Sequence, residues 1–206
     1  MTGLASVATR TEILDAALPI FARLGYRAAT VREICAAADV NIAAVNYHFG
    51  GKQALYDEVL THAYVRLSST PVPTLAEHGD PAQAMRAWVY WYVDRVIGHP
   101  ADATGQLMVH ELADPTPALD ALVSRGVQPV FDELRTIITA LSPRTPTPDD
   151  IARLALSVVG QCLIYRSGDA LLQRLKGVPK RDSTAIAEHI ACVSIAAVRH
   201  AAEVTT

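Results

Sequence analysis

Apolar positions recur three and four residues apart along almost the whole chain, and no convincing run of alternating strand pattern interrupts them. Between Thr9 and Leu24, the residues Ile13, Leu14, Ala17, Phe21 and Leu24 share a helical stripe, and Gly25 is placed to cap it. Pro19 sits inside that stripe and lacks the amide that would bond to Asp15, which predicts a kink or a loosened turn. Thr30 with Glu33 three residues on reads as a capping box for a helix over 31–38. Asn41 caps the next helix, which runs to about Phe49. Gly50-Gly51 then breaks the chain before a longer helix from about Lys52 to Leu67.

Ser68 to Asp80, with Pro71, Pro73 and Gly79, reads as a linker. Asp80-Pro81 supplies a cap and a first helical residue for a helix to about Ile97. Further helices are expected over 103–112, 116–140, 147–175 and 183–204, with Gly126 and Pro129 leaving open whether 116–140 is one helix or two. Ser142 to Pro148, rich in proline, is a stiff, extended connector. The fold class is all-α: a three-helix head over 1–50, a connecting helix over 51–70 and a helical body over 71–206.

With 206 residues the chain can bury a core without disulfide or metal staples, and its 50% hydrophobic content excludes a largely disordered protein. Cys35, Cys162 and Cys192 are odd in number and form no C-x-x-C pair, so they read as small apolar residues of a reducing cytosol. Residues 1–9 lack the basic start and apolar run of a signal peptide. The apolar stretch 154–165 is too short to span a bilayer, so a soluble, cytoplasmic protein is expected. A net charge of −3 does not advertise nucleic-acid binding, and such a function has to come from local geometry. Up to residue 68, Arg10, Arg23, Arg27, Arg32, Lys52 and Arg66 are balanced by Glu12, Asp15, Glu33, Asp39, Asp57 and Glu58.

The segment 30–49 carries the chemistry. Two short helices joined by a tight turn, with Ala36, Ala37 and Ala38 permitting close approach, follow helix-turn-helix spacing. The second helix is about 10 Å long and fits a major groove about 12 Å wide. Its outer face carries Ile42, Ala43, Asn46 and Tyr47. Asn46 can pair its amide with a purine edge, and Ile42 or Ala43 can touch a thymine methyl. Thr30, Tyr47, His48 and Lys52 are the candidate phosphate contacts, and Arg32 can reach either a base or the backbone.

Residues 9–56, from Thr-Arg-Thr-Glu-Ile-Leu through Asn-Tyr-His-Phe-Gly-Gly-Lys-Gln-Ala-Leu-Tyr, resemble the DNA-binding head of TetR/AcrR-type transcriptional regulators. The resemblance implies a homodimeric one-component repressor of a double-stranded DNA operator. It also implies a small-molecule effector pocket in the body and a dimer interface from the last two long helices. The family's Tyr-x-Phe…Lys pattern falls on Tyr47, Phe49 and Lys52. Two departures stand out. Asp39 replaces the usual glycine of the turn, which Asp can do in a left-handed conformation, and Asn46 stands where the family often has an aromatic residue. The stretch Glu111 to Ala118 is similar to one in the CecR-like branch.

In the body, Trp88, Tyr92 and Arg95 share a helical face with Trp91 beside them, a stripe that suits either core or effector pocket. Met108, Phe131, Cys162, Tyr165 and Arg166 are further pocket candidates, Arg166 as an anion handle. His110-Glu111-Leu-Ala-Asp114 invites comparison with the zinc-protease H-E-x-x-H motif, but the second histidine is missing. His110 and Glu111 are then a helix-end pair that can also serve an effector. No cofactor, metal or enzymatic activity is expected. The competing readings are a constitutive DNA binder of the same fold and a small helical enzyme using His110 and Glu111.

Overall fold

The computed structural model describes residues 2–67, 70–97, 103–179 and 181–204. Ser68 and Ser69, which open the expected linker, and the Arg66 side chain lie outside the described residues. Every regular element among the described residues is helical. In chain order these are α1 (Thr2–Ala28), α2 (Val31–Ala37), α3 (Ile42–Phe49), α4 (Lys52–Leu67), α5 (Leu75–His78), α6 (Pro81–Ile97) and α7 (Ala103–Ala113). Then come α8 (Ala118–Leu122), a π-helical turn (Val123–Val127), α9 (Gln128–Leu141), α10 (Pro148–Ser167), α11 (Asp169–Leu172) and α12 (Ser183–Val204). None is long and apolar enough to cross a membrane.

Packing does not follow chain order. One compact unit comprises Met1–Thr70 and Ala101–Gly126, so that α7 and α8 belong with the head; the other comprises Pro71–Pro100 and Val127–Thr206. In the first unit, α1 lies against α4, α7 and α2, and α3 packs on α2 and α4. Ile13, Ala17, Phe21, Ile34, Val45, Leu55, Val59 and Leu107 are all fully buried there, each worth about 1.5–3 kcal/mol for the larger side chains. Phe21 meets Tyr56 edge-on, with ring centroids 4.9 Å apart. The expected distortion at Pro19 is absent: non-helical backbone within α1 occurs at Gly25 (φ 73°, ψ 172°). Pro19 faces solvent, and its fixed φ suits a helix. The expected stop at Gly25 stands: its left-handed, non-helical backbone breaks α1 there, and a separate helical turn follows to Ala28.

In the second unit, α6 and α12 pack along one another with α9 and α10 beside them. Met85, Trp88, Leu134, Ile137, Ile138, Val158 and Ile190 form its centre. Glu188 on α12 pairs with Arg86 and accepts the Tyr90 hydroxyl at 3.1 Å, tying the exposed edge of α6 to α12. The span 116–140, left open between one helix and two, is two: α8 and α9, joined through the π turn. The span 147–175 is also broken, because Gly168 caps α10 by donating its amide to the Ile164 carbonyl at 2.9 Å. A β-carbon at Gly168 would lie 2.7 Å from that carbonyl oxygen, so the close approach requires glycine.

Candidate nucleic-acid interface

Local chemistry positions α2 and α3. Thr30 is the N-cap of α2: its hydroxyl oxygen accepts the Glu33 amide at 3.2 Å, and the Glu33 carboxylate accepts the Thr30 amide at 2.9 Å and hydroxyl at 2.7 Å. Those Thr30 bonds hold the Glu33 carboxyl below its ordinary pKa. The Thr30 hydroxyl proton, expected to serve a phosphate, is therefore spent on the cap. After Ala38 the chain turns through Asp39 in the left-handed region (φ 52°), as the sequence requires of a residue standing in a glycine position. Asn41 then caps α3, its Oδ1 accepting the Ala44 amide at 2.9 Å.

Burial divides α3 cleanly. Val45 and Phe49 are sealed into the head, while Ile42, Ala43, Asn46 and Tyr47 face outward together. Tyr47 is 82% exposed and Ile42 48%. Among the described residues none covers these large side chains, so this side of α3 is an open face of the head. His48 is half-buried, its ring set edge-on to Tyr47 at 5.1 Å. Arg32 stands exposed on α2. Gly50, left-handed at φ 80°, ends α3 and swings the chain into α4.

Lys52 is not a free surface cation. Its Nζ donates to the Arg27 carbonyl at 3.2 Å and sits 4.6 Å above the Tyr26 ring. Such a cation–π contact fixes the ammonium beside α1 while leaving further donor hydrogens for a phosphate. Arg10, absent from the expected set, lies over the Phe49 ring at 5.3 Å and pairs with Glu58. Nothing in the sequence marks Arg10 as α3's neighbour, since the contact spans most of the head.

The body candidates separate into two groups. Trp88, Trp91, Tyr92, Phe131, Cys162 and Tyr165 belong to one apolar cluster of the second unit. Trp88 is fully buried and stacks on Tyr92 at 4.8 Å with planes 12° apart; Arg95 lies over Trp91 at 4.9 Å. The buried indole N–H of Trp88 meets no acceptor among the described residues. Burial pushes the Cys162 thiol up to about 12, and Arg166 donates to the Val96 carbonyl at 3.2 Å. Met108, His110 and Glu111 lie in the first unit instead. Met108 packs on the head core, His110 stands beside Gly25, and Glu111 is buried against Tyr56. A groove of about 730 Å³ in the second unit is lined by Tyr165, Asp169, Leu172, Val178, Arg181 and His189, among others; of the pocket candidates, it takes in Tyr165. No cluster of three or more metal-ligating side chains occurs among the described residues.

Comparison with known proteins decides the family. Residues 13–59 match the family model for bacterial regulatory proteins of the tetR family. Residues 81–198, over half the chain, match the C-terminal domain of the HTH-type transcriptional dual regulator CecR. The chain belongs to the TetR family. Its C-terminal part is of the CecR type, in line with the similarity at Glu111 to Ala118. The HTH-type transcriptional repressor NicS of Pseudomonas putida is 27% identical over 197 residues, covering 93% of this chain and 91% of that one. The repressor KstR2 of Rhodococcus jostii is 45% identical over 51 residues, 25% of each chain. A tetR-family regulatory protein from Rhodococcus RHA1 superposes with a TM-score of 0.69 at 21% identity, covering 93% of this chain and 97% of that one. AibR, solved with isovaleryl coenzyme A and operator DNA, gives 0.66 at 19% identity and covers 90% and 97%. The two superpositions establish the shared fold. This protein is thus a DNA-binding helix-turn-helix transcription regulator of the TetR family.

Proposed function

We propose that this regulator is a repressor that binds a near-palindromic operator as a homodimer and releases it when a small molecule occupies the body. The outward face of α3, with Ile42, Ala43, Asn46 and Tyr47 exposed together on a capped helix, is the observation that carries this reading. Asn46 reads a purine edge, Ile42 and Ala43 press on thymine methyls, and Tyr47, His48, Lys52 and Arg32 hold the backbone. Thr30 contributes by fixing the start of α2 rather than by donating its hydroxyl.

Exposed Leu156 and Ile164 on α10 and Val193 on α12 support a two-fold, four-helix seam. Two heads would then occupy successive major grooves about 34 Å apart. The Trp88–Tyr92 stack with Phe131 and Cys162 supplies the apolar lining an effector needs, and the Trp88 N–H supplies a donor. Release follows from the effector's unequal affinity for the two conformations of the dimer. Of the two residues of the enzyme reading, Glu111 is buried in hydrogen bonds to Tyr56 and Thr116, which supports a regulator without catalysis.

Selection of bound duplexes from a randomised pool tests the reading. Asn46→Ala is expected to relax preference at one position per half-site, costing about 1–3 kcal/mol of discrimination there. Lys52→Ala is expected to weaken all sequences alike and to flatten the salt slope by about one ion per half-site. Uniform loss in both variants would remove the base-reading role from Asn46.

A further inference from the structure

The most unusual group in the first unit is a carboxylate buried far from the α3 face. Glu111, on α7, is 1% exposed. Its Oε2 accepts the Tyr56 hydroxyl at 2.7 Å, and its Oε1 accepts the Thr116 amide at 2.8 Å and the Thr116 hydroxyl at 2.9 Å. A buried carboxylate without partners would be strongly destabilising, so this set of donors is what allows it to be there. The hydroxyl of Tyr56 is correspondingly pushed to high pKa, by burial first and by the facing carboxylate second, and it stays a donor.

Tyr56 leads towards the DNA side. Its ring packs on Tyr26 at a centroid distance of 5.0 Å. Tyr26 is the ring under the Lys52 ammonium, and Arg27, next in the chain, supplies the carbonyl that Lys52 bonds. One turn beyond Glu111, Asp114 grips the same Arg27 through both carboxylate oxygens, at 2.7 and 3.0 Å. That ion pair is largely exposed and weak by itself, but it orients the residue whose backbone Lys52 uses. His110, on the same helix end, stands against Gly25, where a β-carbon would come within 3.4 Å of its ring. The end of α7 and the residue just beyond it therefore touch Gly25 and Arg27 directly, and reach Tyr26 through Tyr56.

We infer that Glu111 is a positioning residue for DNA binding: through Tyr56 and Tyr26 it sets where Lys52 presents its charge. The inference rests on the regulator reading above and assigns Glu111 a role in operator affinity rather than in an effector pocket. Because the link is a chain of contacts, the effect of Glu111 on DNA must pass through Lys52. A merely structural carboxylate would not show that dependence.

The test combines a DNA-free measurement with a mutant cycle on the full-length protein. In the free protein the Lys52 ammonium lies over the Tyr26 ring, so the adjoining ε-methylene protons are expected to show an upfield ring-current shift in carbon-edited NMR. Glu111→Gln and Tyr56→Phe are expected to reduce that shift while both variants keep the wild-type helical circular dichroism. Operator affinity, measured by fluorescence anisotropy on a duplex selected from a random pool, is expected to fall about tenfold per half-site in Glu111→Gln, the size of one charge-assisted hydrogen bond. Lys52→Ala is expected to cost about tenfold in the wild-type background and little more in the Glu111→Gln background. An unmoved Lys52 resonance in both variants, or an equal Lys52→Ala penalty in both backgrounds, overturns the inference. Should Glu111→Gln fail to fold, Tyr56→Phe serves alone in the same cycle. Absence of binding by the wild-type protein to every duplex would refute the regulator reading itself, whatever the NMR shows.

Discussion

Gly126, in the π turn, offers a direct measure of how tightly α4 is held. A β-carbon there would lie 2.5 Å from Cε1 and 2.6 Å from Cζ of Tyr64 on α4. Carbon atoms settle at about 3.5–4.0 Å, so Gly126→Ala forces the ring or the turn back by about 1 Å. Two effects oppose each other. The backbone at Gly126 is not left-handed, and alanine in a helical conformation gains up to about 1 kcal/mol over glycine. Overpacking a closed site costs about 1–3 kcal/mol, and the clash falls on the body of the ring rather than on a flexible end. The clash wins, for a net destabilisation of about 1–2 kcal/mol. Urea denaturation followed by far-ultraviolet circular dichroism reads the change. In a Tyr64→Leu background the smaller side chain leaves room, and Gly126→Ala is expected to become neutral or stabilising, a coupling of at least 1 kcal/mol. A stabilising Gly126→Ala in the wild-type background, or an equal cost in both, would refute the close packing of the π turn on α4.

Three further outcomes are expected. Glu33 gains stability from a carboxyl held below its ordinary pKa by Thr30, so the contribution is present above the unfolded-state value and disappears as pH falls through the folded one; Thr30→Val should lessen the loss of stability on acidification, which pH-dependent denaturation measures. Asn41→Ala removes the side-chain cap of α3 and should cost about 1 kcal/mol of stability, with a larger relative loss of operator affinity because α3 carries the contact face. Cys162, buried and with its thiol raised to about 12, should resist alkylation at pH 8 until the protein unfolds, whereas rapid labelling in the folded protein would contradict its place in the core.

Signals that act within a few residues were legible from the chain itself. The Thr30–Glu33 box and the Asn41 cap rest on a side chain meeting backbone three positions away, Asp39 and Gly50 on tolerance of a left-handed backbone, and each stands in the structure. The division of α3 into a buried Val45–Phe49 side and an open Ile42–Asn46 side follows from helical period alone. What escaped was set by tertiary contact. Lys52 resting on Tyr26 and Arg27 joins residues 25 positions apart, and Tyr56 to Glu111 spans 55; no local pattern encodes either. Glu111 drew notice through a motif resemblance and a pocket role, yet its own neighbours bury it in the head's unit. Pro19 misled because a lost amide bond matters little on a solvated helix face, and Gly168 was passed over inside an otherwise periodic run.

The most direct test is hydroxyl-radical footprinting of the purified protein on a duplex selected from a random pool, at low ionic strength. The account predicts two protected segments one helical turn apart, related by two-fold symmetry, with protection lost on mixing in Asn46→Ala/Lys52→Ala protein. A single protected segment from a monomeric protein, or no protection on any selected duplex, would contradict it.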